Sequence, residues 1–97
     1  MKIKTKSGFV CDVNPDIVKD WRFCKGLAKC DSGDESAVIQ GITFAVPFLL
    51  GEDGERKLIE HVTDKNGIAP VQEITKEFRE IITLMGKEVK KSQSSPS

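Results

Sequence analysis

Hydrophobic and polar positions alternate along the first 13 residues of this chain. Ile3 and Thr5 fall on one side of an extended backbone, and the lysines beside them fall on the other. Ser7-Gly8 interrupts the alternation with residues that suit a tight turn. The pattern predicts a small β-hairpin over residues 2–13. Because a two-stranded hairpin is only marginally stable in water, we expect it to dock on the rest of the chain.

From residue 14 onward the apolar positions recur at helical spacing. Asn14 and Pro15 are typical of a helix N-terminus, and the first helix is predicted to extend to Cys30. Gly26 weakens its second half, since glycine costs a helix roughly 1 kcal/mol relative to alanine. The residues predicted on its inner face are Ile17, Trp21, Cys24 and Ala28.

The second predicted helix, residues 35–50, is apolar on nearly all sides. Such a helix is central in a core or buried against another chain, and we expect both for a domain this small. Pro47 is predicted to kink it, because the ring clashes with the carbonyl of Thr43 and removes one hydrogen bond. A short third helix is predicted after "GEDGER", and its apolar residues are Leu58, Ile59 and Val62.

The fourth predicted helix begins at Pro70 and carries the most regular apolar stripe of the chain. The stripe consists of Val71, Ile74, Phe78, Ile81, Met85 and Val89. It suits a core face alone, or a core face that also forms a seam with an oligomer or a partner. The fold is therefore predicted to be mainly α, with an N-terminal hairpin and about four helices in one domain of residues 1–91. The polar tail, residues 92–97, is predicted to be disordered.

The large apolar side chains of the second and fourth helices are the candidates for binding a partner or another copy of the chain. They are Ile42, Phe44, Phe48, Leu49, Val71, Ile74, Phe78, Ile81 and Met85. Helical apolar stripes of this kind can be shared with a ligand helix.

The stretch "EHVTDKNGIAPVQE" contains the residue types of a metal or catalytic site. A calcium loop starting at Asp64 fails, because Ile68 stands at the fifth position and Thr75 at the twelfth. His61 is the only histidine and has no second ligand at metal-binding spacing. We therefore predict a connector, in which His61 ends one helix and Asn66-Gly67 turns the chain toward the next.

Composition narrows the function classes further. Fifteen basic and fifteen acidic residues balance, so no overall basic field favours nucleic acid. Three cysteines without a C-x-x-C pair are expected to be free thiols in a reducing cytosol rather than zinc ligands. The apolar stretch 38–50 is too short for a bilayer, and the N-terminus lacks the apolar region of a signal peptide. We expect an intracellular protein that is not an enzyme and binds no cofactor, nucleic acid or membrane.

Several segments resemble the small tail assembly chaperones of long-tailed bacteriophages and of prophages of Gram-positive bacteria. They are "KIKTKSGF", "NPDIVKDW", "DSGDES", "FLLGEDGERKLIEHV" and "DKNGIAPVQEI", in this order. The resemblance covers nearly the whole chain, from about residue 2 to residue 91. Its most specific pieces are Asp20-Trp21, Leu49-Leu50-Gly51 and the segment from Glu60 to Pro70.

The resemblance implies a mostly helical protein that binds the tape-measure protein, keeps it soluble and helps recruit tail-tube subunits around it. It further implies that the protein acts in the host bacterial cytoplasm and is not retained in the mature virion. Many members also exist in a frameshifted long form, through which the tail-tube protein would be recruited. We expect a homo-oligomer. The basic first helix departs from the family, where more acidic residues are expected.

The alternative is a small phage or mobile-element regulator that binds DNA, or another phage interaction protein. Four basic residues between Asp16 and Cys30 favour the regulator. The expected burial of Trp21 and the lack of a short turn before this helix argue against it.

Overall fold

The chain folds as an N-terminal β-hairpin followed by three α-helices. The computed structural model describes the backbone of residues 1–92 and the side chains of residues 1–87. The elements are β1 (Lys2–Lys4), β2 (Val10–Asp12), a 3-10 turn (Pro15–Lys19), α1 (Trp21–Cys30), α2 (Glu35–Val62) and α3 (Val71–Ser92). The prediction of a mainly helical fold with an N-terminal hairpin is confirmed. The predicted disordered tail, apart from Ser92 at the end of α3, lies outside the described residues.

The hairpin pairs β1 and β2 in antiparallel register, with Ile3 opposite Cys11. Gly8 supplies the positive φ of 94° that its turn requires, as predicted. The alternation along both strands turns one face inward. The buried residues of that face are Ile3, Thr5, Phe9, Cys11 and Val13.

The first α-helix begins at Trp21 and not directly after Asn14 as predicted, and its inner face differs. After the 3-10 turn the backbone is extended at Asp20, whose carboxylate then caps α1 by accepting from the backbone N–H of Arg22 at 2.8 Å. This restart shifts the helical phase, so that Phe23 is fully buried and Trp21 is 76% exposed. The predicted burial of Trp21 is therefore wrong. Two other members of the predicted inner face, Cys24 and Ala28, are also exposed.

The second and third predicted helices are joined in α2, which accounts for three helices where four were predicted. Gly51, with φ 75° and ψ 169°, is the residue of α2 with non-helical backbone. These angles belong to a region that essentially only glycine occupies. Pro47 lies within helical backbone, so the kink predicted at Pro47 occurs instead at Gly51.

Helices α1 and α2 approach closely where two glycines face each other. A Cβ atom on Gly41 would lie 2.6 Å from the carbonyl oxygen of Gly26 and 2.9 Å from the sulfur of Cys30. The lack of a side chain on Gly41 therefore permits the contact, whereas a Cβ on Gly26 would meet the Phe44 side chain at 3.2 Å.

The connector between α2 and α3 is a capped turn. The carboxylate of Asp64 accepts from the backbone N–H groups of Asn66 and Ile68, at 2.9 and 3.1 Å. Gly67 has a φ of 80°, as the Asn66-Gly67 turn predicted. The turn aims α3 back across the core, whose largest fully buried side chains are Phe23, Leu58, Phe78, Ile81 and Met85.

Candidate partner-binding surfaces

An apolar groove runs between α2 and the first turns of α3. Its rim is formed by Ile39, Ile59 and Val71, which are 40%, 43% and 51% exposed. These are three of the few large apolar side chains that the fold leaves in solvent. The α2–α3 groove encloses about 170 Å³ and is lined by Ile39, Ile42, Thr43, Val46, Glu55, Ile59, Val71 and Ile74.

The groove opens at one end into a wider cleft of about 750 Å³ that shares Ile39 and Val71 with it. This cleft carries Lys76 and Arg79 on its α3 side. The Nη2 atom of Arg79 donates to the carbonyl oxygen of Cys30 at 3.0 Å, which ties α3 to the end of α1. Ile39 and Val71 form the apolar boundary between the two cavities.

The candidate residues of the sequence analysis fall into three groups in the structure. Ile42, Val71 and Ile74 line the α2–α3 groove. Phe44 and Phe48 stack on each other, with ring centroids 5.3 Å apart, on the side of α2 that faces α1. Leu49, Phe78, Ile81 and Met85 are buried in the core.

Sequence reasoning does not select two of the rim residues, Ile39 and Ile59, as binding candidates. The apolar spacing places Ile59 on a separate short helix, and its position beside α3 follows from the bend at Gly51. Ile39 belongs to a helix with apolar residues on all sides, so spacing alone gives no sign of which side is left open.

A second surface lies between α1 and α2, on the other side of α2. This α1–α2 notch encloses about 260 Å³ and is lined by Arg22, Lys25, Gly26, Lys29, Gln40, Gly41 and Phe44. The guanidinium of Arg22 lies 5.0 Å from the ring centroid of Phe48. Among the lining residues three are basic and none is acidic.

Arg22 is held at the edge of the notch by the N-cap of its own helix. Its side chain donates to both carboxylate oxygens of Asp20, at 3.1 and 2.9 Å. These hydrogen bonds, together with the positive charge of Arg22, lower the pKa of Asp20 to about 2. The charge of Arg22 is consequently shared with Asp20.

His61 belongs to a polar cluster that fixes the hairpin turn to the helices. Thr5 Oγ1 and Ser7 Oγ donate to Glu77 Oε1 at 2.8 and 2.9 Å, and Glu77 is only 4% exposed. Ser7 Oγ also lies 2.9 Å from His61 Nε2. Since the single hydroxyl proton of Ser7 goes to Glu77, the Nε2–H of His61 donates to Ser7. These hydrogen bonds anchor the hairpin turn to α2 and α3.

The thiols do not assemble into a site. Burial, with the nearby Asp12 and Glu77 charges, raises the pKa of Cys11 to about 11, and burial also raises the pKa of Cys30. Cys24 is exposed, and all three thiols are free. Within the described part of the chain, no group of three or more His, Cys, Asp or Glu side chains is placed to hold a metal ion.

Comparisons with family models, with curated proteins and with solved structures find no match to this chain. None of the helices in the described residues combines the length and apolar character that crossing a membrane requires.

Proposed function

We propose that this protein is a non-catalytic tail assembly chaperone of a long-tailed phage or prophage. It binds apolar helical segments of the tape-measure protein and helps recruit tail-tube subunits, and it does so as a homo-oligomer in the host cytoplasm without remaining in the virion. The α2–α3 groove is the observation that carries this proposal. The resemblance of the segments from residue 2 to residue 91 supports it.

The groove has the features of a surface that receives an amphipathic helix. Ile42, Val46 and Ile74 lie deep in it, and exposed apolar side chains form its rim. A ligand helix would place apolar residues at i, i+3 or i+4, and i+7 along such a groove. Both cavities are open to solvent, which suits weak and repeated contacts along a long helical partner better than one tight complex.

Co-expression with an apolar helical segment of the tape-measure protein from the same phage or prophage tests the proposal. We expect the segment to be insoluble alone and to co-purify with the chain when both are expressed. Val71→Asp should abolish co-purification, because it places a charge on the apolar rim. Val71 is 51% exposed, so the variant is expected to remain folded.

Val10→Asp is the matched control for this experiment. Val10 is 48% exposed on the hairpin and does not line the α2–α3 groove, so its replacement should leave co-purification intact. The proposal is lost if the segment stays soluble alone and does not bind. The groove is the wrong surface if Val71→Asp and Val10→Asp behave alike.

A DNA-binding regulator is the second candidate, and the three basic residues of the α1–α2 notch favour it. The helix that follows the α1–α2 turn, α2, buries much of its apolar surface and is not free to enter a groove of DNA. Binding of duplex DNA that weakens steeply with salt would support the regulator.

A further inference from the structure

The basic residues of α1 form a regular row beside the notch. Arg22, Lys25 and Lys29 are exposed and stand at i, i+3 and i+7, so they lie along one face over about 10 Å of helix. Lys25 and Lys29 take part in no ion pair among the residues whose side chains are described. Two unpaired cations and one partly paired cation therefore border a cavity that has no acidic lining residue.

The α1–α2 notch lies where α1 and α2 approach each other at two glycines. Gly26 and Gly41 line the notch without side chains, and the 42% exposed ring of Phe44 forms one wall. The ring stacks against Phe48, so the wall is held in place. A space of about 260 Å³ suits one apolar side chain, flanked by the row of cations.

We propose that the α1–α2 notch binds an acidic amphipathic helix of a partner protein. Acidic residues at positions i, i+3 or i+4, and i+7 of such a helix would match the row, because both helices have the same rise per residue. An apolar residue among them would enter the notch beside Phe44. A flexible nucleic acid strand fits less well, since it needs an extended series of stacking platforms and the notch offers the single exposed ring of Phe44.

This site is distinct from the groove proposed to bind the tape-measure protein. At 3.6 residues per turn, positions 40, 41 and 44 lie on nearly the opposite side of α2 from positions 39, 42 and 46. The two surfaces can be tested separately, and failure of one does not imply failure of the other.

The fluorescence emission of Trp21 can report binding at the notch. Trp21 is the only tryptophan of the chain, it is 76% exposed, and it lies one turn before Lys25 on the same helix face. The probe is a capped helical peptide of about 16 residues without tryptophan, carrying three glutamates at the matching spacing and one leucine between them. We expect its binding to shift the Trp21 emission to shorter wavelength, with a Kd on the order of 10–100 µM that rises with salt.

Lys25→Glu/Lys29→Glu should weaken peptide binding at least about tenfold, because each substitution replaces attraction by repulsion. Lys2→Glu/Lys4→Glu changes the net charge equally on the exposed side of β1 and should leave the affinity within about twofold. Lys25→Gln/Lys29→Gln serves as a second variant that removes the positive charges without adding acids to the surface.

Three results would overturn the proposal. The first is no peptide-dependent change in Trp21 emission for the wild-type chain. The second is equal weakening by the α1 and β1 double variants, which would indicate a general charge effect. The third is binding of a thymidine oligonucleotide of about 20 nucleotides with no binding of the peptide, which would assign the row of cations to nucleic acid.

Discussion

At the scale of single residues, two helical glycines have opposite effects on stability. Gly41 is required by packing, since any Cβ would meet the Gly26 backbone at 2.6 Å. Gly86 is exposed in α3, and a Cβ added there would meet no atom within 4 Å, so this glycine only lowers helix propensity. Gly41→Ala should lower the free energy of unfolding by about 1–3 kcal/mol, because the clash is with backbone. Gly86→Ala should raise it by about 0.5–1 kcal/mol.

Urea denaturation of the two variants measures both effects, and each variant is the control for the other. A Gly41→Ala variant as stable as the wild type would show that α1 and α2 can separate at little cost. A destabilised Gly86→Ala variant would mean that α3 is not helical at this position in solution.

The charge of Asp20 should make the stability of the protein depend on pH in the acidic range. The pKa of Asp20 is about 2 in the folded state and 3.8 when unperturbed, so the folded state binds its proton less readily. The stabilisation from the ionised carboxylate is therefore fully present above about pH 4 and is lost as the pH falls through about 2. Asp20→Asn retains a capping oxygen but loses the charge, and it should be less stable than the wild type at neutral pH.

The measurement is the midpoint of urea unfolding for wild type and Asp20→Asn at several pH values. The difference between them should disappear between about pH 4 and pH 2. Asp16→Asn, at an exposed carboxylate paired with Lys19 in the 3-10 turn, is the control for a general loss of one negative charge. A difference as large at pH 2 as at neutral pH would contradict the role of the Asp20 charge.

At the scale of elements, the hairpin is attached to α3 by a buried hydrogen bond between Thr5 and Glu77. The alternation of residues along the hairpin does not predict this bond. Thr5→Val keeps the shape of the side chain but removes a donor to the buried carboxylate of Glu77. We expect a loss of about 1–3 kcal/mol, since a buried acceptor is left less satisfied. Amide hydrogen exchange should also accelerate in β1 and β2 if the hairpin undocks.

Thr83→Val is the matched control for Thr5→Val. The Thr83 hydroxyl donates to the carbonyl of Arg79 on the exposed side of α3, so its loss should change stability by less than about 0.5 kcal/mol. Equal effects of the two substitutions would contradict the anchoring role of Thr5 and Glu77.

Local signals predict the type and order of the elements better than the faces they bury. The turn at Gly8, the cap at Asn14 and the turn at Gly67 are readable because a specific backbone geometry requires those residues. The inner face of α1 cannot be predicted in this way, because Asp20 provides a second cap that resets the helical phase before Trp21. Similarly, Pro47 is the expected place for a bend, but this proline is tolerated within α2 and the bend occurs at the glycine four residues later.

The buried polar pair of Thr5 and Glu77 shows the same limit between elements. Thr5 is on the inward side of the alternating hairpin, and Glu77 adjoins the apolar stripe of α3, so each position gives a sign of burial. Their contact joins residues 72 positions apart, and spacing along one element carries no information about it. The α2–α3 groove could not be predicted from spacing for the same reason. The bend at Gly51 places Ile59 beside Val71, and spacing along one helix does not predict that contact.

At the scale of the whole molecule, the stripe of α3 is exposed at its beginning and buried further along the helix. Its first turn, at Val71, is half-exposed on the α2–α3 groove, whereas Phe78 is 1% exposed and meets Phe23 edge-on at a centroid distance of 6.3 Å. The sequence left open whether this stripe is core alone or also a partner seam. Phe78, Ile81 and Met85 are buried in the core and Val71 is exposed at the start of the stripe, while the side chain of Val89 lies outside the described residues.

Alanine substitutions along the stripe should therefore separate stability from binding. Phe78→Ala should cost about 3–5 kcal/mol, because it removes a ring at the junction of α1 and α3, and this is a large share of a typical total of about 5–15 kcal/mol. Val71→Ala should change stability by less than about 0.5 kcal/mol, yet weaken capture of the tape-measure segment. Thermal unfolding and co-purification of both variants provide the measurements. If Val71→Ala unfolds the chain as readily as Phe78→Ala does, the whole stripe is core and the groove is not a free surface.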